Sequence, residues 1–270
     1  MNRLPASLTL VGAGKMGGAM LAGWLAGGLD AARTTVLDPH PSPEVEALCA
    51  TRGLALNPAT VPASDALVLA MKPQGLDTAA PMLVGLADAR TLVVSILAGK
   101  TIADLQARLP QVRAIVRAMP NLPASIGRGA TGAVASAGTE PSRRVEAEAL
   151  LASVGSVEWL DDEGLLDALT AVSGSGPAYV FLLAEAMAQA GVAAGLPADM
   201  AARLARATVA GAGALLDATD RDAGLLRQDV TSPGGTTAAA LAVLMRDGGV
   251  SDLLREAVAA GRHRAGELSG

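Results

Sequence analysis

The residues near the amino terminus that could bind a ligand form a Gly-x-Gly-x-x-Gly turn at Gly12, Gly14 and Gly17, directly after an apolar run. In such turns the first glycine permits a tight bend and the second lets the backbone approach a pyrophosphate. The third allows a helix to pack closely on the strand, so that the helix N-terminus faces the anion. The spacing therefore predicts a dinucleotide site. A glycine turn in an unrelated α/β domain is the alternative.

Other residues are expected to reach the same dinucleotide site, in the crevice at the carboxyl ends of the strands. Asp38 ends the second apolar run, about 20 residues beyond the turn, where an acid suits a ribose 2′-hydroxyl and repels a 2′-phosphate. Aspartate before proline is also common in ordinary turns, and Arg33 and His40 could offset a phosphate. Lys72 follows the third run directly and points into the crevice, unless it is a solvated loop charge. The run that ends at 95–99 has small residues that leave room for a nicotinamide ring.

Two glycine-rich segments stand out in the second half, at 173–179 and 230–237. In the latter we expect Ser232 to cap a helix that has Pro233 at its first position. The N–H groups of 234–237 would then lie at a helix N-terminus beside two hydroxyls, which suits a carboxylate. An ordinary capped helix fits the same pattern.

Residue types that are missing narrow the reaction class. The lysines are Lys15, Lys72 and Lys100, and the histidines are His40 and His263, so the second half has no lysine and one histidine near its end. An alcohol–ketone dehydrogenase usually needs a positioned acid or base to move the hydroxyl proton. A C=N substrate can arrive already protonated, and a threonine hydroxyl would then suffice at the nitrogen. We infer an imine rather than a ketone as substrate.

The elements that position these residues alternate in the first half. Apolar runs at 8–12, 35–38, 66–71, 91–96 and 114–119 are typical of strands buried on both faces, and helix-like stretches separate them. This order predicts an α/β fold with a parallel, doubly wound sheet. After 161 the strand-like runs stop and alanine-rich helical segments follow. We therefore place a dinucleotide-binding domain at 1–161 and a helical domain at 162–270.

Composition excludes several classes of protein. The net charge is -5, 17% of residues are charged and 1% are aromatic, so basic patches and stacking platforms for nucleic acid are lacking. No apolar run reaches the roughly 18 residues of a membrane span, and the first run is too short for a secretory leader. Cys49 is the single cysteine, which leaves no disulfide framework and no cysteine-based metal site. We expect a soluble, cytoplasmic protein without a metal that buries further apolar surface between subunits.

Six motifs occur in an order and spacing that match one known family. They are the turn at 12–17, Ala-Met-Lys-Pro at 70–73, Ser-Ile-Leu-Ala-Gly at 95–99, Arg-Ala-Met-Pro-Asn-Leu-Pro at 117–123, Ser-Gly-Ser-Gly-Pro-Ala-Tyr at 173–179 and Val-Thr-Ser-Pro-Gly-Gly-Thr-Thr at 230–237. The chain thereby resembles pyrroline-5-carboxylate reductase over nearly its full length. The resemblance implies a Rossmann-type domain followed by an all-α domain that dimerises, with decamers in several cases. It also implies hydride transfer from NAD(P)H to the C=N bond of 1-pyrroline-5-carboxylate, giving L-proline in the last step of proline biosynthesis.

The resemblance also implies site residues at the matching positions. The expected dinucleotide contacts are Gly12, Ala13, Gly14, Lys15, Met16, Gly17, Asp38, Asn57, Met71, Lys72 and Ala98. The expected substrate contacts are Glu163, on the connection into the helical domain, and Ser232, Gly235, Thr236 and Thr237. Backbone N–H groups of Thr236 and Thr237 would hold the carboxylate, and the Thr237 hydroxyl would be the proton donor near the ring nitrogen. Ser232 would support that loop.

Some positions depart from the family pattern. Leu122 stands where threonine is common and Leu97 where a small residue is common, and both are expected to narrow the pocket near the nicotinamide. Asp38 favours use of NADH alongside NADPH, so the expected cofactor is NADP or NAD. Three alternatives stay open: a reductase of another small cyclic imine, a β-hydroxyacid dehydrogenase and a non-catalytic dinucleotide-binding protein. The second would require a catalytic lysine after Gly176, where the sequence has none.

Overall fold

A computed structural model describes residues 4–269 of the chain, and within them the strands form one sheet. The strands are β1 (Leu8–Val11), β2 (Thr34–Leu37), β3 (Ala55–Leu56), β4 (Ala66–Leu69), β5 (Leu92–Ser95), β6 (Ala114–Met119), β7 (Gly129–Ala135) and β8 (Gly155–Trp159). Their spatial order is β3-β2-β1-β4-β5-β6-β7-β8. The chain builds outward from β1 on one side and then from β4 on the other, which is the predicted doubly wound arrangement.

The helices follow the alternation that the sequence predicts. They are α1 (Lys15–Ala26), α2 (Pro43–Arg52), α3 (Leu76–Leu86), α4 (Ile102–Arg108), α5 (Pro141–Ala152), α6 (Leu165–Leu169), α7 (Gly176–Ala193), α8 (Ala198–Asp217), α9 (Ala223–Asp229), α10 (Thr236–Leu244) and α11 (Val250–Ser269). A π-helical turn at Thr170–Gly174 connects α6 to α7. The predicted α/β domain followed by helices is confirmed.

The sheet is buried on both faces, as its continuous apolar strands require. One core cluster contains Trp24 of α1 and Leu150 of α5, and the indole Nε1 of Trp24 donates to the Leu150 carbonyl at 2.7 Å. A second cluster, on the other face, contains Leu83 of α3 and Leu105 of α4. Helices therefore cover both faces, and the carboxyl ends of the strands remain as the edge where a ligand can bind.

Two strands near the end of the sheet were not predicted from the sequence. β7 runs antiparallel to β6, with Arg117 opposite Val134, and β8 pairs parallel to β7. The predicted parallel sheet is therefore confirmed for β1 to β6, and the antiparallel strand β7 departs from it. The sequence of β7, Gly-Ala-Thr-Gly-Ala-Val-Ala, has few large apolar side chains. It lacks the continuous apolar pattern by which β1, β2, β4, β5 and β6 were recognised.

The chain divides into two compact units. The first consists of residues 4–174 together with 261–269, and the second consists of 175–260. The predicted boundary at 161/162 stays a prediction. In the second unit α7 and α8 form an antiparallel hairpin, where a Cβ on Gly191 would lie 3.2 Å from the Cβ of Ala201.

The helical unit exposes large apolar side chains. Phe181, Leu182 and Val243 are 59%, 63% and 57% exposed, whereas Ala201 and Ala205 are the buried apolar residues among those described for this unit. The helical stretch Leu165–Ala193 is long and apolar enough to cross a membrane by length and composition, and little of it is buried within the chain. Exposed apolar side chains grouped in this way are typical of a surface that contacts another molecule.

Candidate active site

In the glycine turn between β1 and α1, a Cβ would meet different surroundings at each of the three glycines. Gly12 has a φ of 90°, and a Cβ there would lie 2.5 Å from the Met71 backbone nitrogen. A Cβ on Gly17 would collide with the Gly12 carbonyl oxygen, so helix and strand need both glycines to pack. Gly14 is different, because a Cβ there would meet nothing within 4 Å among the described residues. Folding contacts do not require glycine at 14, so the open space beside it is available to a ligand.

The N-terminus of α1 is arranged for an anion. Within the described chain no side chain caps it, its N-cap is Gly14, and its first turn contains no acid. Lys15 occupies that first turn, where the helix dipole opposes a positive charge unless an anion is close. A pyrophosphate would satisfy the unpaired N–H groups of Lys15 and Met16 and offset the lysine charge. The turn therefore fits the diphosphate of a dinucleotide.

Parallel register places the ends of the strands level with this turn. Val11 pairs with Leu37 on one side and with Leu69 on the other, and Leu69 pairs with Ser95. The loops after β1, β2, β4 and β5 therefore start at the same edge of the sheet. All predicted dinucleotide contacts lie in or beside these loops.

Asp38 is tied to the glycine turn. One carboxylate oxygen accepts the Ala13 N–H at 2.7 Å, and the other accepts the His40 N–H at 2.8 Å. The second bond is the turn geometry that the alternative interpretation of Asp38 predicted. Both oxygens keep a free lone pair for a ribose hydroxyl. Asp38 therefore makes a structural bond to the turn, and its expected contact with a ribose stays a prediction.

Asn57 holds Asp38 in place through the backbone. Its Oδ1 accepts the Asp38 N–H at 2.9 Å, and its Nδ2 donates to the Asp38 carbonyl at 2.7 Å. Asn57 itself has a φ of 47°, a left-handed conformation that asparagine tolerates better than most residues. The amide thus extends the pairing between β2 and β3 and fixes the residue that contacts the turn.

The prediction that Arg33 could offset a 2′-phosphate is wrong. Arg33 lies in a 3₁₀ turn before β2, whereas Asp38 follows the strand. Residues on opposite ends of a strand this long are separated by roughly 15 Å, at about 3.3 Å per residue. Arg33 is therefore at the edge of the sheet away from the site, and His40 is at the correct edge.

Met71 and Lys72 form the loop after β4. Lys72 is exposed and has no ion-pair partner among the residues that the structure describes, so its ammonium is available to a ligand. The Met71 side chain packs on Gly75, where a Cβ would lie 2.9 Å from the methionine methyl carbon. Both residues lie beside the glycine turn, since the Met71 nitrogen closely approaches Gly12.

The loop after β5 presents Ala98 and buries Leu97. Ala98 is exposed, while Leu97 is 1% exposed and belongs to the core cluster beneath the sheet. The Leu97 N–H donates to the Ser95 Oγ at 3.3 Å, which anchors the loop. Leu97 therefore points away from the crevice, and the expectation that it narrows the nicotinamide pocket is wrong.

Glu163 forms an ion pair that the sequence did not indicate. Its Oε1 accepts from the Arg117 Nη1 at 2.8 Å and from the Ile102 N–H at 2.8 Å. Arg117 is 3% exposed and lies in β6, so its charge is almost fully removed from water. The signal available in the sequence was an arginine inside the apolar run 114–119. The expected contact between Glu163 and substrate stays a prediction.

Asn121 is a second buried polar residue that sequence reasoning did not single out. Its Oδ1 accepts the Ala130 N–H at 2.9 Å, and its Nδ2 donates to the Ser173 carbonyl and hydroxyl at 3.1 and 3.2 Å. Asn121 and Ser173 belong to two of the six motifs. These motif residues therefore bind each other and hold the end of the π-helical turn to β7.

In the helical unit, helix α10 begins later than predicted. Gly234 has a φ of 70°, which a right-handed helix cannot include, and the helix starts at Thr236 with Gly235 as N-cap. The prediction that Ser232 caps a helix with Pro233 in its first position is therefore wrong. Instead the Ser232 carbonyl accepts the Gly235 N–H at 3.1 Å and closes a turn before the helix.

The start of α10 leaves donors for an anion. Within the described chain no side chain caps it and no acid lies in its first turn. The N–H groups of Thr236 and Thr237 are thus unpaired by helix geometry, and Thr237 is half-buried. Ser232, Gly235, Thr236 and Thr237 are brought together in this second unit, whereas Glu163 belongs to the first. No group of three or more metal-ligating side chains occurs among residues 4–269.

Comparison with known proteins shows the family. The model for pyrroline-5-carboxylate reductase dimerisation matches residues 163–268, and the model for NADP oxidoreductase, coenzyme F420-dependent, matches residues 7–99. A pyrroline-5-carboxylate reductase of Pseudomonas aeruginosa is 38% identical over 264 residues, which cover 97% of this chain and 96% of the relative. The chain belongs to the pyrroline-5-carboxylate reductase family.

Solved structures agree with this assignment. A pyrroline-5-carboxylate reductase of Coxiella burnetii superposes with a TM-score of 0.90 at 34% identity, covering 98% of this chain and 99% of the other. The Plasmodium falciparum pyrroline carboxylate reductase with NADP bound has a TM-score of 0.80 at 24% identity, and each chain is covered completely. The Rossmann-type fold with an all-α dimerisation domain is therefore confirmed.

Proposed function

We propose that this chain reduces 1-pyrroline-5-carboxylate to L-proline, the last step of proline biosynthesis, with a nicotinamide dinucleotide as cofactor. The main support for the proposal is the start of α10. There the unpaired helix N–H groups belong to two threonines, in a chain of this family. This arrangement offers a carboxylate site and a hydroxyl in one place. A bound dinucleotide supplies the hydride for the C=N carbon.

In the first unit, we propose that the backbone of the glycine turn holds the pyrophosphate. The N–H groups at the start of α1 donate to its oxygens, and Lys15 and Lys72 add positive charge. Asp38 accepts from a ribose hydroxyl and Asn57 keeps it in position. The other proposed dinucleotide contacts are Gly12, Ala13, Gly14, Met16, Gly17, Met71 and Ala98.

In the second unit, Thr236 and Thr237 bind the substrate carboxylate through their backbone N–H groups. The N–H···O⁻ bonds are charge-assisted and fix the ring in one orientation. The Thr237 hydroxyl donates a hydrogen bond to the ring nitrogen, which takes up a proton as the adjacent carbon accepts hydride. Ser232 and Gly235 set the turn that aims these groups. A cyclic imine without a carboxylate would leave the two N–H donors unpaired, which favours the carboxylate-bearing substrate.

Replacement of Thr237 tests this assignment. Thr237→Val keeps the shape and the backbone N–H but removes the hydroxyl, so kcat should fall by roughly 10²-fold, as for loss of a positioned proton donor. The dissociation constant of the cofactor should stay unchanged. Thr237→Ser, which retains the hydroxyl, should recover most of the activity. Full turnover by the valine variant would remove Thr237 from this role.

The chain forms homo-oligomers through its helical unit, since the dimerisation model matches 163–268. We propose a homodimer in the cytoplasm that can assemble further into a decamer, without nucleic-acid or membrane partners. A second copy, rather than lipid, covers the apolar face that includes Phe181 and Leu182. Sedimentation of the purified protein without detergent should give a dimer or a multiple of it. A monomer, or a requirement for detergent, would contradict this.

A further inference from the structure

One partly buried ion pair lies at the end of the loop that carries Ala98. Glu163 Oε1 accepts the N–H of Ile102, the first residue of helix α4, at 2.8 Å. The same oxygen accepts from Arg117 Nη1 at 2.8 Å. Arg117 is 3% exposed, and the Glu163 side chain is 29% exposed. One carboxylate thus joins a helix start to a buried guanidinium.

The contact with Ile102 fixes the carboxyl-terminal end of the loop 96–101, which carries Ala98. The first end is anchored by Leu97, whose side chain is buried in the core and whose N–H bonds to Ser95. The Thr101 and Asp104 side chains cap α4 reciprocally, which leaves the Ile102 N–H for another partner. Glu163 is that partner. Between the two anchors Ala98 is exposed at the crevice edge.

Arg117 lies in the strand next to the loop and can orient Glu163 through their ion pair. In the sheet Arg117 of β6 lies opposite Ser95, the last residue of β5, so the two side chains emerge on the same face of neighbouring strands. The Arg117 Nε has no hydrogen-bond partner within the described chain. The guanidinium therefore depends on Glu163 for neutralisation, and a buried charge without its partner is strongly unfavourable.

We propose that Glu163 is a positioning residue that acts through Ile102 to hold the loop 96–101 in the shape that accepts the nicotinamide half of the cofactor. Arg117 orients and neutralises the carboxylate. This inference rests on the proposed function, in which Ala98 contacts the dinucleotide. It gives Glu163 a different role from the substrate contact that the family resemblance implies, because the oxygen that bonds Arg117 also bonds the backbone of Ile102, directly after the loop.

Loop positioning and substrate contact predict opposite effects of a Glu163 substitution on the NADPH Kd and the substrate KM. Glu163→Ala removes the acceptor for the Ile102 N–H and leaves the buried arginine unpaired. A loop that must be ordered on binding lowers affinity, so the Kd of NADPH, measured by its fluorescence, should rise roughly tenfold. The substrate KM, measured at saturating cofactor, should change by less than about twofold if Glu163 acts only on the loop.

Matched variants separate loop positioning from general destabilisation. Glu163→Gln keeps an oxygen that can accept the Ile102 N–H, so its NADPH Kd should lie between those of wild type and Glu163→Ala. Glu158→Gln removes the same charge from an exposed position on β8 and should match the wild type in both constants. If Glu163→Ala does not fold, Glu163→Gln alone still decides the outcome, because its cofactor Kd and substrate KM can be compared directly.

A raised substrate KM with an unchanged NADPH Kd in either variant would overturn the proposal and make Glu163 a substrate contact. Unchanged values for both would overturn it as well. Failure of the proposed function gives a separate result, since the wild-type enzyme would then bind NADPH without turning over 1-pyrroline-5-carboxylate. In that case the NADPH Kd of the variants still tests whether Glu163 positions the loop.

Discussion

Replacing Gly14 by alanine adds one methyl group where the glycine turn meets helix α1. The Gly14 backbone, with φ of -65° and ψ of -166°, is extended and is accessible to alanine. The new Cβ would meet no described atom within 4 Å. Alanine is a poorer N-cap than glycine by about 0.5 kcal/mol, and it restricts the unfolded chain by a similar amount. The free energy of unfolding of the cofactor-free protein should therefore change by less than about 0.5 kcal/mol.

The same methyl group should weaken cofactor binding strongly. It would occupy the space through which a pyrophosphate reaches the N–H groups of α1. Loss of one charge-assisted hydrogen bond, worth about 1.5–3 kcal/mol, corresponds to roughly 10- to 150-fold in Kd. Titration of NADPH fluorescence measures the Kd, and thermal unfolding without cofactor measures the stability.

A matched control uses the same substitution away from the crevice. Gly85 lies in α3, is exposed, and a Cβ there also meets nothing within 4 Å in the described chain. Gly85→Ala should leave the Kd unchanged and stabilise the helix by about 0.5–1 kcal/mol. If Gly14→Ala keeps the wild-type Kd, the pyrophosphate does not pass over Gly14 and the assignment of the turn is refuted.

Three other predictions concern acidic and thiol groups. Asp38→Ser should raise the ratio of kcat/KM for NADPH over NADH about tenfold, the effect of removing some 1.4 kcal/mol of repulsion of a 2′-phosphate; an unchanged ratio would exclude that role. Cys49 is buried, and burial raises the pKa of its thiol, so 5,5′-dithiobis(2-nitrobenzoate) should modify it only after unfolding. Rapid labelling of the native protein would contradict this. The pKa of Asp104 is lowered, chiefly by the hydrogen bond from the Thr101 backbone N–H. The stabilisation of the folded protein by this ionised carboxylate is present above the unfolded pKa of about 3.9. It is lost as pH falls through the lower folded pKa. The difference in Tm between wild type and Asp104→Asn should therefore shrink below about pH 4, and a constant difference would oppose the assignment.

The sequence predicted β1, β2, β4, β5 and β6 because these strands lie in continuous apolar runs, whereas the two-residue strand β3 was missed. β7 was missed for the opposite reason: glycine and alanine dominate it, and alanine is equally at home in a helix. The antiparallel turn between β6 and β7 has no hairpin signal, since the intervening segment includes the 3₁₀ turn Leu122–Ile126. Pairing with β6, rather than local preference, makes this segment a strand.

The candidate site could be located from the sequence, but its contacts could not. The glycine spacing identified the turn correctly, and the register of the strands placed Asp38 and Lys72 beside it. The start of α10 depended on the positive φ of Gly234, which a capping pattern does not reveal. The direction of Leu97 depended on the core beneath it. The pairing of Arg117 with Glu163 joins residues far apart in sequence, and no local pattern indicates which charge a buried arginine will meet.

Steady-state oxidation of NADPH and NADH with 1-pyrroline-5-carboxylate, followed by identification of the product, tests the central claim most directly. We expect turnover with both cofactors and L-proline as the product, with the ratio of the two kcat/KM values reflecting Asp38. Tight cofactor binding without turnover of this imine would contradict the proposed function.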